Sequence, residues 1–150
     1  LVAAAQEDKL LEFLNPIGEW DYGTALEEWG TKWEISDATV DGPEEIEGDY
    51  FAYLSFDSAW GPPIAAYQNG EANHDIKISA SYYEPGMCFI GLYDLGEDNS
   101  YEVDFTDDDW SDNIPSDLIS EWSLDDEYEN LDELCILSRC PRFDLDSFTN

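Results

Sequence analysis

Thirty-seven Asp and Glu residues stand against five Lys and Arg in 150 residues, and the resulting formal net charge of −32 limits what this chain can become. Self-repulsion on that scale opposes compaction and keeps copies apart at low salt. Folding therefore needs a large apolar contribution. The chain carries one: 43% of its residues are hydrophobic and 15% aromatic, with six Trp and nine Tyr. Disordered acidic segments lack such side chains. A single domain of this length buries roughly two-thirds of the surface that its unfolded chain exposes, which is enough for one core.

The same imbalance selects partners. Binding a phosphate backbone requires a basic patch that displaces counterions, and five scattered cations do not form one. Direct binding of nucleic acid or of an anionic membrane surface is not expected, whereas a basic protein or a cation fits. Duplex DNA carries one charge per about 1.7 Å of axis, so 32 charges match roughly 54 Å of it. A decoy that imitates the nucleic-acid backbone is one reading of the charge. The other is an acidic coat that only keeps the protein dissolved in a crowded or saline setting.

Cys88, Cys135 and Cys140 are an odd number without a CxxC pair or a metal-ligand spacing. A disulfide framework is not indicated, although Cys135 and Cys140, five apart, could bridge across a turn. Reduced thiols and a cytoplasmic location in a host cell are the expectation. No apolar run reaches the length of a membrane span. The opening LVAAAQEDKLLEFL lacks the basic region and cleavage pattern of a signal peptide. It also lacks an initiator Met, and residues upstream of Leu1 are expected.

Along the chain, Ala4, Leu10, Leu11 and Leu14 fall at helical spacing and predict a helix over 1–14, ended by Asn15-Pro16-Ile17-Gly18. A second helical stretch is read at 23–29. Alternation predicts strands at 32–40, 49–56 and 75–84, with a turn at Asp41-Gly42-Pro43 and another at Pro85-Gly86. The 49–56 strand is apolar on both sides and reads as central. A short helix over 64–69 follows Pro62-Pro63, leaving His74 in a polar loop. A strand over 87–95 and an edge strand over 100–105 complete the sheet. From Asp94 to Glu133 there are 17 acidic residues and no Lys or Arg, yet Trp110, Ile114, Leu118, Ile119, Trp122 and Leu124 are spaced for one docked helix. Pro115 marks its first turn, with Asn113 or Asp112 as cap.

This order is helix, strand, strand, helix, strand, strand, followed by a further strand and a helix. One strand placed before Leu1 turns it into the split βαββαβ unit. The blocks WGTKWE (29–34) and FDSAWGPP (56–63), with Tyr82-Tyr83-Glu84-Pro85-Gly86 and then Phe89-Ile90-Gly91, resemble the signature blocks of the YubB-like, Api-type family of phages and plasmids over about residues 1–95. Glu34 stands where Asp is expected and Ser58 where Thr is expected. The resemblance implies an α+β, ferredoxin-like antiparallel sheet with helices on one face, its first strand outside the chain, in a single domain. Residues 96–150 become an acidic extension. The family has no settled activity, so function rests on a site.

Two candidate sites emerge. Trp29, Lys32, Trp33, Trp60 and Glu84 could line a ligand or peptide groove, with Lys32 set against a ring or paired with Glu84; the structural alternative buries these rings in the core. Asp104, Asp107, Asp108, Asp109, Asp112, Asp117, Asp125, Asp126 and Glu127 form the candidate acidic surface. The run from Asp107 fails the EF-hand template, since its sixth residue is Asp112 and its twelfth Leu118. His74 is the only histidine and reads as a surface residue. No cofactor, metal site or catalytic residue is expected. A non-enzymatic protein-binding domain is favoured over a module with a Trp-lined pocket for a small molecule or peptide, and over a structural domain that is merely acidic.

Overall fold

A computed structural model describes residues 2–4, 23, 26, 30 and 36–131. In chain order these form β1 (Val2–Ala4), β2 (Ser36–Ile46), β3 (Asp49–Asp57), α1 (Ile64–His74), β4 (Ile76–Glu84), β5 (Phe89–Asp94), β6 (Glu97–Glu102), α2 (Ser116–Glu121) and α3 (Leu124–Asn130). The protein is α+β. It divides into a first unit, Leu1–Tyr82 with Leu92–Asn99, and a second, Tyr83–Gly91 with Ser100–Asn150.

All six strands contribute residues to the first unit, hydrogen-bonded in the order β2-β3-β1-β4-β5-β6. β1 lies between β3 and β4, antiparallel to both, with Val2 opposite Ala52 on one side and Ile78 on the other. This corrects the reading of 1–14 as one helix and of a first strand outside the chain. Three residues are too few to show a period of two, so the helical spacing beyond them absorbed Ala4. The 23–29 helix and the strand residues Lys32 to Ile35 lie outside the described residues, apart from Gly23 and Leu26.

β2 also departs from expectation, because it runs straight through Asp41-Gly42-Pro43 to Ile46. Register shifts between Ser36 and Thr39, and between Asp41 and Glu44, absorb the irregular residues as bulges. Gly42 is required there: its φ is +102°, and a Cβ would come within 2.7 Å of the Phe51 carbonyl oxygen. The actual turn is Glu47-Gly48, with φ of 56° and 96°, a two-residue connection whose positive φ angles match strand twist. Leu95-Gly96 repeats the device between β5 and β6, with φ of 48° and 90°. Glu-Gly and Leu-Gly advertise such turns less strongly than Asp-Gly, which explains the misplacement.

β3 is central, as its sequence suggests, but only one side of it is core. Ala52 is fully buried and Tyr50, Leu54 and Phe56 pack against the same cluster, while Tyr53 on the other side is 50% exposed. Ile76 and Ile78 of β4, Tyr93 of β5 and Tyr67 of α1 complete the cluster. Burying each such side chain stabilises by about 1.5–3 kcal/mol. α1 is longer than predicted. Gly70 and the polar residues after it argue locally against a helix, yet Gly70 is buried within it and Asp75 closes it in the left-handed conformation. His74 is thus in the last helical turn, half-buried, instead of in a loop.

The second unit is built from turns and short helices around aromatic rings. Phe105 meets Trp110 edge-on at 4.9 Å between ring centres, and both face Tyr128 at 5.7 and 5.6 Å. Tyr83 and Trp122 form a further pair at 5.8 Å. Such pairs add about 0.5–1.5 kcal/mol each beyond area burial. Val103, Ile114, Leu118 and Leu124 are buried with them. The single helix expected here is two, separated where Ser123 takes a left-handed φ of 52°. Trp110 lies before them in successive three-residue turns, such as the Asp107 N–H to the Asp104 carbonyl at 3.0 Å and that of Trp110 to Asp107 at 3.2 Å. Neither Asn113 nor Asp112 caps α2, which begins after Pro115 without a side-chain cap.

Cys88, in the turn joining β4 and β5, is disulfide-bonded, against the expectation of reduced thiols. Its sulfur lies 3.6 Å from the Pro85 carbonyl oxygen. That is a contact only, because a bridged sulfur has no proton to donate. Cys135, Cys140 and the tail from Leu134 lie outside the described residues.

Candidate functional site

Of the predicted aromatic groove, Trp29, Lys32 and Trp33 lie outside the described residues. Trp60 follows β3 at a positive φ of 67° and is 64% exposed, against the alternative that buries its ring in the core. The local reason is the break at Gly61-Pro62-Pro63: the chain must turn from strand to helix there, and the ring leaves the sheet with it. Glu84 ends β4 half-buried, and its Oε1 accepts the Gly86 N–H at 2.9 Å. It stabilises the β4–β5 turn. Trp60 belongs to the first unit and Glu84 to the second.

The acidic set falls entirely in the second unit. Asp107, Asp108, Asp109, Asp112, Asp117, Asp125 and Asp126 are exposed, while Asp104 and Glu127 are half-buried. Several have local tasks. Asp104 Oδ1 accepts both the Thr106 N–H and its hydroxyl, and Asp107 Oδ1 accepts the Asp109 N–H at 3.1 Å. These Asx-type bonds compete with helix formation and keep the segment in turns. Asp117 occupies the first turn of α2, and Asp125, Asp126 and Glu127 the first turn of α3, where the helix dipole favours negative charge. Glu127 Oε2 also accepts the Tyr83 hydroxyl at 3.0 Å.

One constellation escaped the sequence reading. Glu71, on α1, reaches back with both carboxylate oxygens: Oε1 accepts the Ile78 N–H at 3.1 Å and Oε2 the Tyr93 hydroxyl at 2.6 Å. The Ile78 carbonyl accepts the Leu95 N–H at 3.1 Å, so the carboxylate completes the polar partners of a strand residue beside the β5–β6 turn. Tyr67 packs on Tyr93 with ring centres 5.2 Å apart, and the Tyr82 hydroxyl donates to Asp98 at 2.8 Å. Burial, and then the hydrogen bond to Glu71, hold the Tyr93 phenol far above its usual range. Burial does the same to Tyr67, with smaller contributions from Tyr82 and Asp98. Phenols held protonated donate hydrogen bonds and do not exchange protons near neutral pH, so this network is a clasp between helix and hairpin. The only available signal was Glu71 itself, an acid in the segment read as loop.

Among the described residues, no group of three or more His, Cys, Asp or Glu side chains is placed to hold a metal ion. No described helix is long and apolar enough to cross a membrane. Compared with protein-family models, curated proteins and solved structures, the chain matches none of them.

Proposed function

We propose that this chain is a non-enzymatic binding protein whose second unit docks onto a basic protein. One observation carries the reading: the described part of that unit has 13 Asp and Glu residues and no Lys, Arg or His, and most of those acids are exposed. A surface of one sign attracts its complement over a long range and accelerates encounter. The basic faces that fit it are those that otherwise meet phosphates, which makes nucleic-acid-handling proteins the partner class and imitation of the DNA backbone the mode.

The architecture supports the proposed kinship with ferredoxin-like domains of mobile elements. The first four strands lie in the order β2-β3-β1-β4, with α1 between β3 and β4, as a split βαββαβ unit requires. Its remaining helix would fall between β1 and β2, outside the described residues.

Salt separates this reading from its rivals. Between about 0.01 and 0.1 M ionic strength the screening length falls from roughly 30 to roughly 10 Å. Affinity for a basic DNA-binding protein, measured by calorimetry across that range, is expected to drop at least tenfold. Replacing Asp107, Asp108 and Asp109 with Asn should weaken binding and flatten the salt dependence. Affinity indifferent to salt would remove the proposal.

A further inference from the structure

The sheet of the first unit has a second face, opposite the core that α1 shares with β3, β4 and β5. Phe51 and Tyr53 flank the fully buried Ala52 along β3, so the period of two turns both rings onto that second face. Tyr53 is 50% exposed and Phe51 half-buried. Among the described residues, neither ring contacts another aromatic ring. The pairing of β2 with β3 sets Asp41 opposite Tyr53 and Glu44 opposite Phe51, and both acids are exposed. Directly opposed residues bring their Cβ atoms within about 4.5–5.5 Å, which puts a carboxylate at the rim of each ring.

Residues 51–56, Phe-Ala-Tyr-Leu-Ser-Phe, run aromatic, small, aromatic, aliphatic, free, aromatic. That is the order found on a central strand of RNA-binding sheets, where alternate rings stack bases. β3 holds the matching place, inside β2-β3-β1-β4. Asp49 stands where the pattern has Lys or Arg, Tyr50 where it has Gly, and β1, Val-Ala-Ala, adds no ring. The means of stacking a base are therefore present, while the net charge of −32 repels a phosphate. The two carboxylates add a selection: Asp and Glu accept from an exocyclic amino group, such as cytosine N4.

We propose that this face binds an amino-bearing nucleobase offered as an uncharged nucleoside, its ring stacked on Tyr53 and Phe51 and its amino group donating to Asp41 or Glu44. The site lies in the first unit and stands apart from the docking of a basic protein by the second, so either can fail alone.

The test titrates cytidine, uridine, cytidine monophosphate and a short oligo-dC into the full chain, followed by the NMR signals of the aromatic rings. Cytidine should saturate, and it should bind several-fold more tightly than uridine, which lacks the amino group, and than either phosphate-bearing probe. Tyr53→Ala should weaken cytidine binding at least about fivefold, the lower end of what one stacked base contributes. Phe51→Leu, which keeps the position apolar, should weaken it in the same direction. Replacing both Asp41 and Glu44 with Ala should erase the preference over uridine while the fold, checked by circular dichroism, persists. No saturable binding of cytidine, equal binding of uridine, tighter binding of the monophosphate or oligo-dC, or affinity unmoved by Tyr53→Ala would each overturn the inference.

Discussion

The two units of this protein set their half-buried carboxylates in different surroundings. In the first, a carboxylate is drawn into the fold: Glu71 is half-buried and its two oxygens accept from Tyr93 and from the backbone of Ile78. In the second, Glu127 accepts from the Tyr83 hydroxyl in the first turn of a helix, and most of the other described acids lie exposed on turns and helices while aromatic rings form the interior. A carboxylate in a fold costs stability unless its oxygens find donors, and strand backbones and phenols provide them in the first unit. The described residues of the second unit include no Lys, Arg or His, so their acids are best placed where water and helix dipoles stabilise them.

The strongest way to break this contrast is to remove one buried side chain from each unit. Ile78→Ala in the first and Leu124→Ala in the second should each cost about 2–5 kcal/mol in urea unfolding followed by circular dichroism. Both side chains are essentially fully buried, at 1% and 0% exposure. A loss below about 1 kcal/mol for Leu124→Ala would show that the second unit lacks a packed interior and is only an acidic appendage.

A smaller effect tests the clasp. Tyr93→Phe leaves Glu71 Oε2 without its phenolic donor and should cost roughly 1–3 kcal/mol. Tyr93 also links stability to pH, with a definite sign. Its pKa is raised in the folded state, whereas an unfolded tyrosine ionises near pH 10. The stabilisation is therefore fully present below about pH 10 and is lost as the pH rises beyond that value, because the unfolded chain then releases protons that the folded one retains. Stability measured across this alkaline range should fall more steeply in the parent than in Tyr93→Phe. Equal slopes would mean that Tyr93 ionises alike in both states.

The smallest expected effect concerns two left-handed residues. Ser123 between α2 and α3 and Asp75 after α1 both have positive φ, at 52° and 53°. Aspartate tolerates this conformation through local hydrogen bonding better than serine does. Ser123→Gly should raise stability by about 1 kcal/mol at most, and Asp75→Gly by less. The reverse order would indicate that strain is concentrated in the first unit.

Much of the architecture was legible because its signals are local. Alternating Ile76, Ile78 and Ala80 identified β4, and Pro85-Gly86 marked the turn after it. The acidic surface could be read directly, since a stretch without cations has few places but the outside for its carboxylates. Of the predicted groove only two residues are described, Trp60, which is largely exposed, and Glu84, which serves a turn. Aromatic motifs alone do not distinguish a ring that packs from one that is presented.

Neighbouring residues alone sufficed for the α+β class, for the positions of β3, β4 and β5, and for the cation-free acidic stretch from Asp94 to Glu133, because periods of two, turn residues and composition are local properties. Long-range pairing was needed to place Val2–Ala4 as a central strand, to carry β2 through Gly42-Pro43, and to bring Glu71 to Tyr93 and Ile78. Each of these depends on groups distant in the chain. Val2 pairs with Ala52 and Ile78, and no local pattern in three apolar residues states which backbone will supply their hydrogen bonds.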